Sequence, residues 1–181
     1  GLIASSICLT LRQKDPTIKI VGYDKDKVVR NRAKKIGLCK VESNLDNAVS
    51  GSQLIILCVP VGQMQAVTQR LKKIIEPGTT ITDVGSVKLS VIEEIESNIE
   101  SVGGKYVPSH PIAGTERSGP DAGYAGLFEG RWCILTPTRK TNKKALNSLE
   151  IFWKFLGMQT KIMTPEHHDL VLAVTSHAPH L

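Results

Sequence analysis

Apolar residues along the chain fall into two alternating arrangements. Ile18-Lys19-Ile20-Val21-Gly22-Tyr23-Asp24 is β-rich, and Leu54-Ile55-Ile56-Leu57-Cys58-Val59 is a continuous apolar run, as expected of a strand covered on both faces. Thr79 to Thr82, Lys105-Tyr106-Val107, Arg131-Trp132-Cys133-Ile134-Leu135 and Met158 to Met163 read as further strands. Between them, helical spacing recurs in Lys25 to Ile36, in Met64, Val67, Leu71 and Ile74, in Val91, Ile92, Ile95 and Ile99, and in Ala145, Leu149, Phe152, Trp153 and Leu156. Pro60 and Pro77-Gly78 punctuate the pattern. Alternating strand and helix predicts right-handed crossovers and an α/β fold with a doubly wound, mostly parallel sheet. The strand Arg131 to Leu135, the apolar face of the helix after it and the last strand are expected in the core.

Both ends modify this picture. Gly1-Leu2-Ile3-Ala4-Ser5-Ser6 runs into Ile7, Leu9 and Leu11 as a helix entered without a strand before it, so the sheet is expected to lack its first strand. Thr164-Pro165-Glu166 starts a new helix, with Pro165 at a favoured first position. The expected division is a domain over 1–163 and the first helix of an all-α second domain over 164–181. A chain of 181 residues has room for one sizeable core and the start of another.

The formal charge of +6 raises nucleic acid as a partner. The basic residues are scattered or in short pairs such as Lys34-Lys35 and Lys72-Lys73, with few aromatics to stack on bases. Solvated helix faces account for them better, and no nucleic-acid partner is expected; a small anionic ligand also suits a basic protein. No apolar run approaches the roughly 20 residues of a membrane span, and the first residues lack a signal-peptide pattern, so a cytoplasmic protein without a membrane partner is expected. Cys8, Cys39, Cys58 and Cys133 have no paired spacing and read as packing residues of a reducing compartment.

Candidate chemistry centres on Ser109-His110-Pro111-Ile112-Ala113-Gly114-Thr115-Glu116. Pro108 and Pro111 fix the backbone on both sides of His110 and exclude a helix through it. That places a histidine at the C-terminal end of a strand, the edge at which open parallel sheets bind ligands; a plain turn residue is the competing reading. Asp24 lies about 20 residues after the first glycine, the spacing at which a carboxylate meets an adenosine ribose. It equally suits a helix N-cap. Ser86, in Asp83-Val84-Gly85-Ser86-Val87-Lys88, suits either a cap of the next helix or a ligand at its N-terminus. The last helix carries His167, His168, His177 and His180, with Asp169, Ser176 and His180 on one face, as a solvent-facing stripe or a site wall. No His-Glu-x-x-His pattern is present and no metal is expected. Pro179 is expected to kink this helix and free a carbonyl near Thr175.

Several motifs in order make the chain similar to a known family. Gly1-Leu2-Ile3, Leu57-Cys58-Val59-Pro60-Val61, Asp83 to Lys88, Ser109 to Glu116, Arg131 to Pro137 and Ser176-His177-Ala178-Pro179-His180 resemble the prephenate dehydrogenases, in particular the cyclohexadienyl dehydrogenases that make tyrosine precursors. The resemblance implies a Rossmann-type domain and oxidative decarboxylation of prephenate or arogenate with hydride transfer to NAD, or to NADP. It implies that His110 accepts the 4-hydroxyl proton, or a hydrogen bond from it, and that Ser86 positions both. Glu116 would belong to a polar network gating the site, Asp169 would pair with an arginine of the second domain, and His177 and His180 would line the substrate pocket. Gly1, Leu2 and Ile3, then Asp24, then Val59, Pro60 and Ser86 would border the cofactor. Gly1 stands at the second glycine of the fingerprint and Ala4 at the third, a swap it tolerates. Ala178 stands where the family usually has leucine. A homodimer is implied when the second domain is present. Asp24 favours NAD, while Lys25 and Arg30 keep NADP open. A related hydroxy-acid dehydrogenase and a dinucleotide-sensing domain without turnover are the alternatives.

Overall fold

A computed structural model describes the backbone of residues 1–177 and the side chains of residues 1–174. The chain opens with helix α1 (Leu2–Lys14) and passes through strand β1 (Val21–Gly22), α2 (Lys27–Lys35), β2 (Lys40–Val41) and the short α3 (Leu45–Val49). It continues through β3 (Leu54–Leu57), α4 (Met64–Leu71), β4 (Thr80–Asp83), α5 (Leu89–Glu100), β5 (Lys105–Tyr106) and β6 (Ser109–Pro111). It ends with β7 (Trp132–Leu135), α6 (Lys143–Phe155), β8 (Gln159–Ile162) and α7 (Pro165–His177). The expected mixed α/β fold is present. No helix among the described residues is long and apolar enough to cross a membrane.

Strands β3, β4 and β5 run parallel in that order, with Leu54 opposite Thr80 and Leu57 opposite Asp83. β1 and β2 form a separate parallel pair. Among the described residues no strand pairs the free edge of β1 or of β3. This explains why the predicted strand over 18–24 shrinks to Val21–Gly22, since only one side has a ladder to join.

Residues 105–111 couple the central strands to a second set. Val107 N donates to Ile81 O at 2.9 Å, whereas Thr136 N donates to Pro108 O at 3.1 Å. Pro108 has no N–H to give to β4, so the ladder on that side stops and the chain turns to pair with β7. His110 therefore lies not at the end of a parallel strand, as expected, but inside β6, antiparallel to β7 and opposite Ile134.

Helices cover both faces. One core gathers Ile7 and Leu11 of α1 with Leu127, Phe128, Cys133, Leu135, Leu149 and Trp153; the other gathers Leu57, Met64, Leu71, Ile81, Val91, Ile95, Ile99 and Tyr106. All four cysteines are free, with Cys8 and Cys133 buried. Two predicted core elements are corrected: β8 is largely exposed, with Ile162 at 47%, and Trp132 is 45% exposed. β8 is the last strand of its sheet and β7 joins it there, so the outer ends of both meet solvent.

α1 buries the polar residues Ser5, Ser6 and Thr10. The reason is the segment between β6 and β7, where Tyr124 N donates to Ser6 Oγ at 3.1 Å and Thr10 Oγ1 donates to Ala125 O at 2.7 Å. A Cβ on Gly123 would lie 2.4 Å from Ser5 Cβ and 2.9 Å from backbone atoms of Ser5 and Ser6, so this close approach requires glycine. Gly123→Ala is expected to destabilise the protein by about 1–3 kcal/mol, the cost of overfilling a packed contact, read as a lower urea midpoint. Gly62→Ala, where nothing lies within 4 Å of the added methyl, is the matched control and should leave the midpoint nearly unchanged.

Candidate active site

The site is built on a buried ion pair. Asp83, last residue of β4, and Lys88, just before α5, are both fully buried and bonded through Lys88 Nζ and Asp83 Oδ2. The same Oδ2 accepts from Gly85 N at 2.8 Å, and Asp83 Oδ1 accepts from the Tyr106 hydroxyl at 2.7 Å. Lys88 Nζ also donates to Ser109 O at 2.9 Å, and Ser109 Oγ donates to Asp83 O at 2.7 Å. Burial pushes the Lys88 ammonium down from its usual range while Asp83 opposes it. Burial, reinforced by the adjacent carboxylate, holds the Tyr106 phenol well above its ordinary value. These bonds fix the backbone carbonyl immediately before His110.

His110 itself meets a partner from α7. Its Nδ1 lies 2.9 Å from His168 Nε2, the two rings meeting edge to face at 71°. His168 is buried, and its Nδ1 lies 2.7 Å from Asp169 Oδ1. Burial, the neighbouring His168 and the Lys88 cation lower the His110 pKa to about 4, with Asp169 pulling the other way. His110 is therefore a neutral imidazole at neutral pH. Burial would raise Asp169, but N–H donors from Leu89, His168 and Lys88 outweigh it and hold the carboxyl below its usual range.

Asp169 also corrects one expectation. Its Oδ1 accepts from Lys88 N at 2.8 Å and its Oδ2 from Leu89 N at 3.0 Å, so α5 is capped from α7 and not by Ser86. Ser86 stands exposed in the loop after β4. Asp24 is likewise not the cap of α2. That role falls to Asp26, whose side chain accepts from Val28 N at 2.7 Å, while Asp24 Oδ1 accepts from Asp26 N at 2.9 Å. Arg30 reaches back to the Asp24 carbonyl at 2.6 Å and lies over the Tyr23 ring.

Gly1, exposed, is the cap residue of α1, with Leu2 and Ile3 half-buried in its first turn. Val59 packs against the second core and Pro60, exposed, follows β3. Glu116 is exposed and, with Thr115 and Arg117, borders a depression of about 340 Å³ closed by Ala122 and Tyr124. This depression contains none of the His110 network. α7 starts at Pro165 as predicted and reaches His177, whose side chain lies outside the described residues, as do His180 and the Pro179 kink.

The sequence reading missed His168, Lys88, Asp83 and Tyr106. Lys88 and Asp83 carried a signal, an acid and a base flanking a glycine in an otherwise small and apolar stretch. His168 carried none beyond its adjacency to Asp169.

The family described as prephenate dehydrogenase, nucleotide-binding domain, matches residues 7–162. A cyclohexadienyl dehydrogenase from Zymomonas mobilis is 40% identical over the whole of this chain and 61% of its own length. A prephenate dehydrogenase from Bacillus subtilis is 35% identical over the whole chain and 49% of its own length. The chain thus spans about half to three-fifths of these relatives. Among solved structures, prephenate dehydrogenase from A. aeolicus in complex with hydroxyphenyl propionate and NAD+ superposes with a TM-score of 0.90 at 32% identity, covering 99% of this chain and 62% of that one. Synechocystis arogenate dehydrogenase superposes with a TM-score of 0.89 at 27% identity, covering 98% and 62%. With its mixed α/β fold of mostly parallel strands and a family match over residues 7–162, the chain belongs to the prephenate dehydrogenase family.

Proposed function

We propose that the protein carrying this chain oxidatively decarboxylates prephenate, arogenate or both, using NAD, in tyrosine biosynthesis. The observation that carries the reading is a neutral, partly buried His110 whose Nδ1 meets His168 and whose preceding carbonyl, that of Ser109, is held by Lys88. The family match and the named activities of the relatives support it.

The residues present fit a dinucleotide. α1 starts at the exposed Gly1 with no side chain on its first amides, and its first internal bond runs from Ser5 N to Gly1 O. The N–H groups of Leu2, Ile3 and Ala4 thus remain for a pyrophosphate. Asp24, with one oxygen held by Asp26 N, keeps the other for ribose hydroxyls and disfavours a 2′-phosphate. Val59, Pro60 and Ser86, after β3 and β4, would border the nicotinamide half. NAD, when bound, supplies the hydride acceptor for the ring carbon that bears the hydroxyl.

His110 does the proton work. As that carbon gains carbonyl character its hydroxyl proton passes to the imidazole, which must start neutral to take it. Loss of carbon dioxide from the opposite ring carbon leaves its bonding pair in the ring, which becomes aromatic. His110 then returns the proton to the phenolate oxygen. Glu116, His177 and His180 are assigned to the substrate side, and Ser86 to the hydroxyl. α7 opens the helical second domain, through which the cytoplasmic enzyme forms a homodimer.

In the full-length protein, absorbance of reduced nicotinamide should rise with NAD and either prephenate or arogenate. No turnover from folded protein that binds NAD would leave the hydroxy-acid and sensing alternatives. His110→Asn should lower kcat by about 10²–10⁴-fold with the NAD dissociation constant kept; retained turnover would remove His110 from the proton transfer. The acid limb of kcat/KM, which reports the free enzyme, should lie near pH 4, because the folded-state pKa of His110 is lowered to about 4 and the base stays neutral above it. A limb near 6.5 would mean an ordinary, solvated imidazole. By the same shift, stability falls as pH drops from 6.5 towards 4, where the unfolded chain takes up the proton and the folded one does not. Asp24→Ala should narrow the preference for NAD over NADP, and an unchanged ratio of kcat/KM values would take Asp24 out of the ribose site.

A further inference from the structure

We infer that His168 and Asp169 are positioning residues for His110, holding it as the Nδ1–H tautomer so that Nε2 faces the reacting hydroxyl. The inference rests on the proposed proton transfer to His110 and adds the groups that decide which of its nitrogens takes part.

The assignment follows from donor and acceptor capacity. Asp169 has one oxygen shared between Lys88 N and His168 Nδ1 and the other on Leu89 N, all within 3.0 Å. An ionised carboxylate only accepts, so His168 Nδ1 must carry the proton. In a neutral ring His168 Nε2 is then an acceptor, and the 2.9 Å contact to His110 Nδ1 closes only if His110 donates. That leaves His110 Nε2 with its lone pair. The opposite arrangement would need a second proton on the buried His168 ring.

The same chain of bonds serves the charge that develops. When Nε2 takes the hydroxyl proton, the O–H bond breaks, the N–H bond forms and His110 becomes cationic. His168 Nε2 accepts from it and the Asp169 carboxylate lies directly behind. The groups facing His110 are Lys88 from the loop before α5, His168 and Asp169 from α7, and the Cys133 thiol of β7, which bonds the His110 backbone. Of these, Asp169 is the one anion. α7 supplies both members of the pair, and through Asp169 it is anchored on the amides of Lys88 and Leu89 at the start of α5, so the imidazole partner is tied to the N-terminus of that helix.

The test uses the full-length protein with histidines labelled with ¹⁵N. Long-range ¹⁵N–¹H correlation should show His110 protonated on Nδ1 in the parent protein, assigned by its loss in His110→Asn. His168→Leu should lose that tautomer preference and lower kcat about 100-fold, with KM and NAD affinity kept within about twofold. His168→Gln, whose side-chain oxygen can accept where Nε2 did, should restore the tautomer and at least about tenfold of the lost kcat. A parent protein with His110 protonated on Nε2, or a His168→Leu variant with unchanged kcat and tautomer, overturns the inference. If His168→Leu fails to fold, the parent spectrum and the His168→Gln variant decide. The tautomer reading needs no turnover, so a protein inactive on both substrates would sink the proposed reaction while leaving this test intact.

Discussion

The Asp83–Lys88 pair is the contact on which the site geometry depends. Moving two charges out of water costs several kcal/mol per ion even after relaxation, and the pair is tolerable because its remaining valences are met. Gly85 N and the Tyr106 hydroxyl complete Asp83, and the Ser109 carbonyl completes Lys88. Those partners lie on the end of β4, the approach to α5 and the run that becomes β6. Deleting either charge would strand the other in a fully buried position, so the three segments hold one arrangement or lose it together.

That arrangement explains how a short strand carries a rigid histidine. Pro108 interrupts the ladder to β4 and hands the chain to β7, and Pro111 keeps it extended. Between the prolines the Ser109 carbonyl is pinned by a buried cation and the His110 ring by a second histidine. The lysine has a further effect. Its charge, with burial and His168, favours the neutral imidazole, the form that can take a proton. A structural ion pair and a lowered imidazole pKa are therefore two consequences of one placement.

α7 is the other determinant. Its N-terminal part carries His168 and Asp169 into contact with β6 and the N-terminus of α5. A carboxylate at a helix N-terminus satisfies orphan amides and the positive end of the dipole, and this one also orients an imidazole. The domain boundary expected near residue 163 is thus crossed by the bonds that complete the candidate site.

Strand and helix alternation, helices on both faces of a parallel sheet, the start of α7 at Pro165 and an extended, proline-flanked His110 were all legible from local pattern. Periodicity, proline geometry and capping preference act within a few residues, and the sequence displays them directly. The motifs Asp83 to Lys88 and Ser109 to Glu116 also marked where the site would be. What the sequence by itself did not determine is which side chains meet. It offered Ser86 and Asp24 as caps, yet Asp169, distant in the chain, and Asp26 took those roles; it set His168 among four indistinct histidines; and it read β8 and Trp132 as core. Each of these was decided by tertiary contact, because burial and hydrogen-bond partnership depend on segments far apart in sequence arriving at one point. The chemistry of a residue can be read from its type and neighbours, whereas its proton, its partner and its exposure are set only when the rest of the fold closes around it.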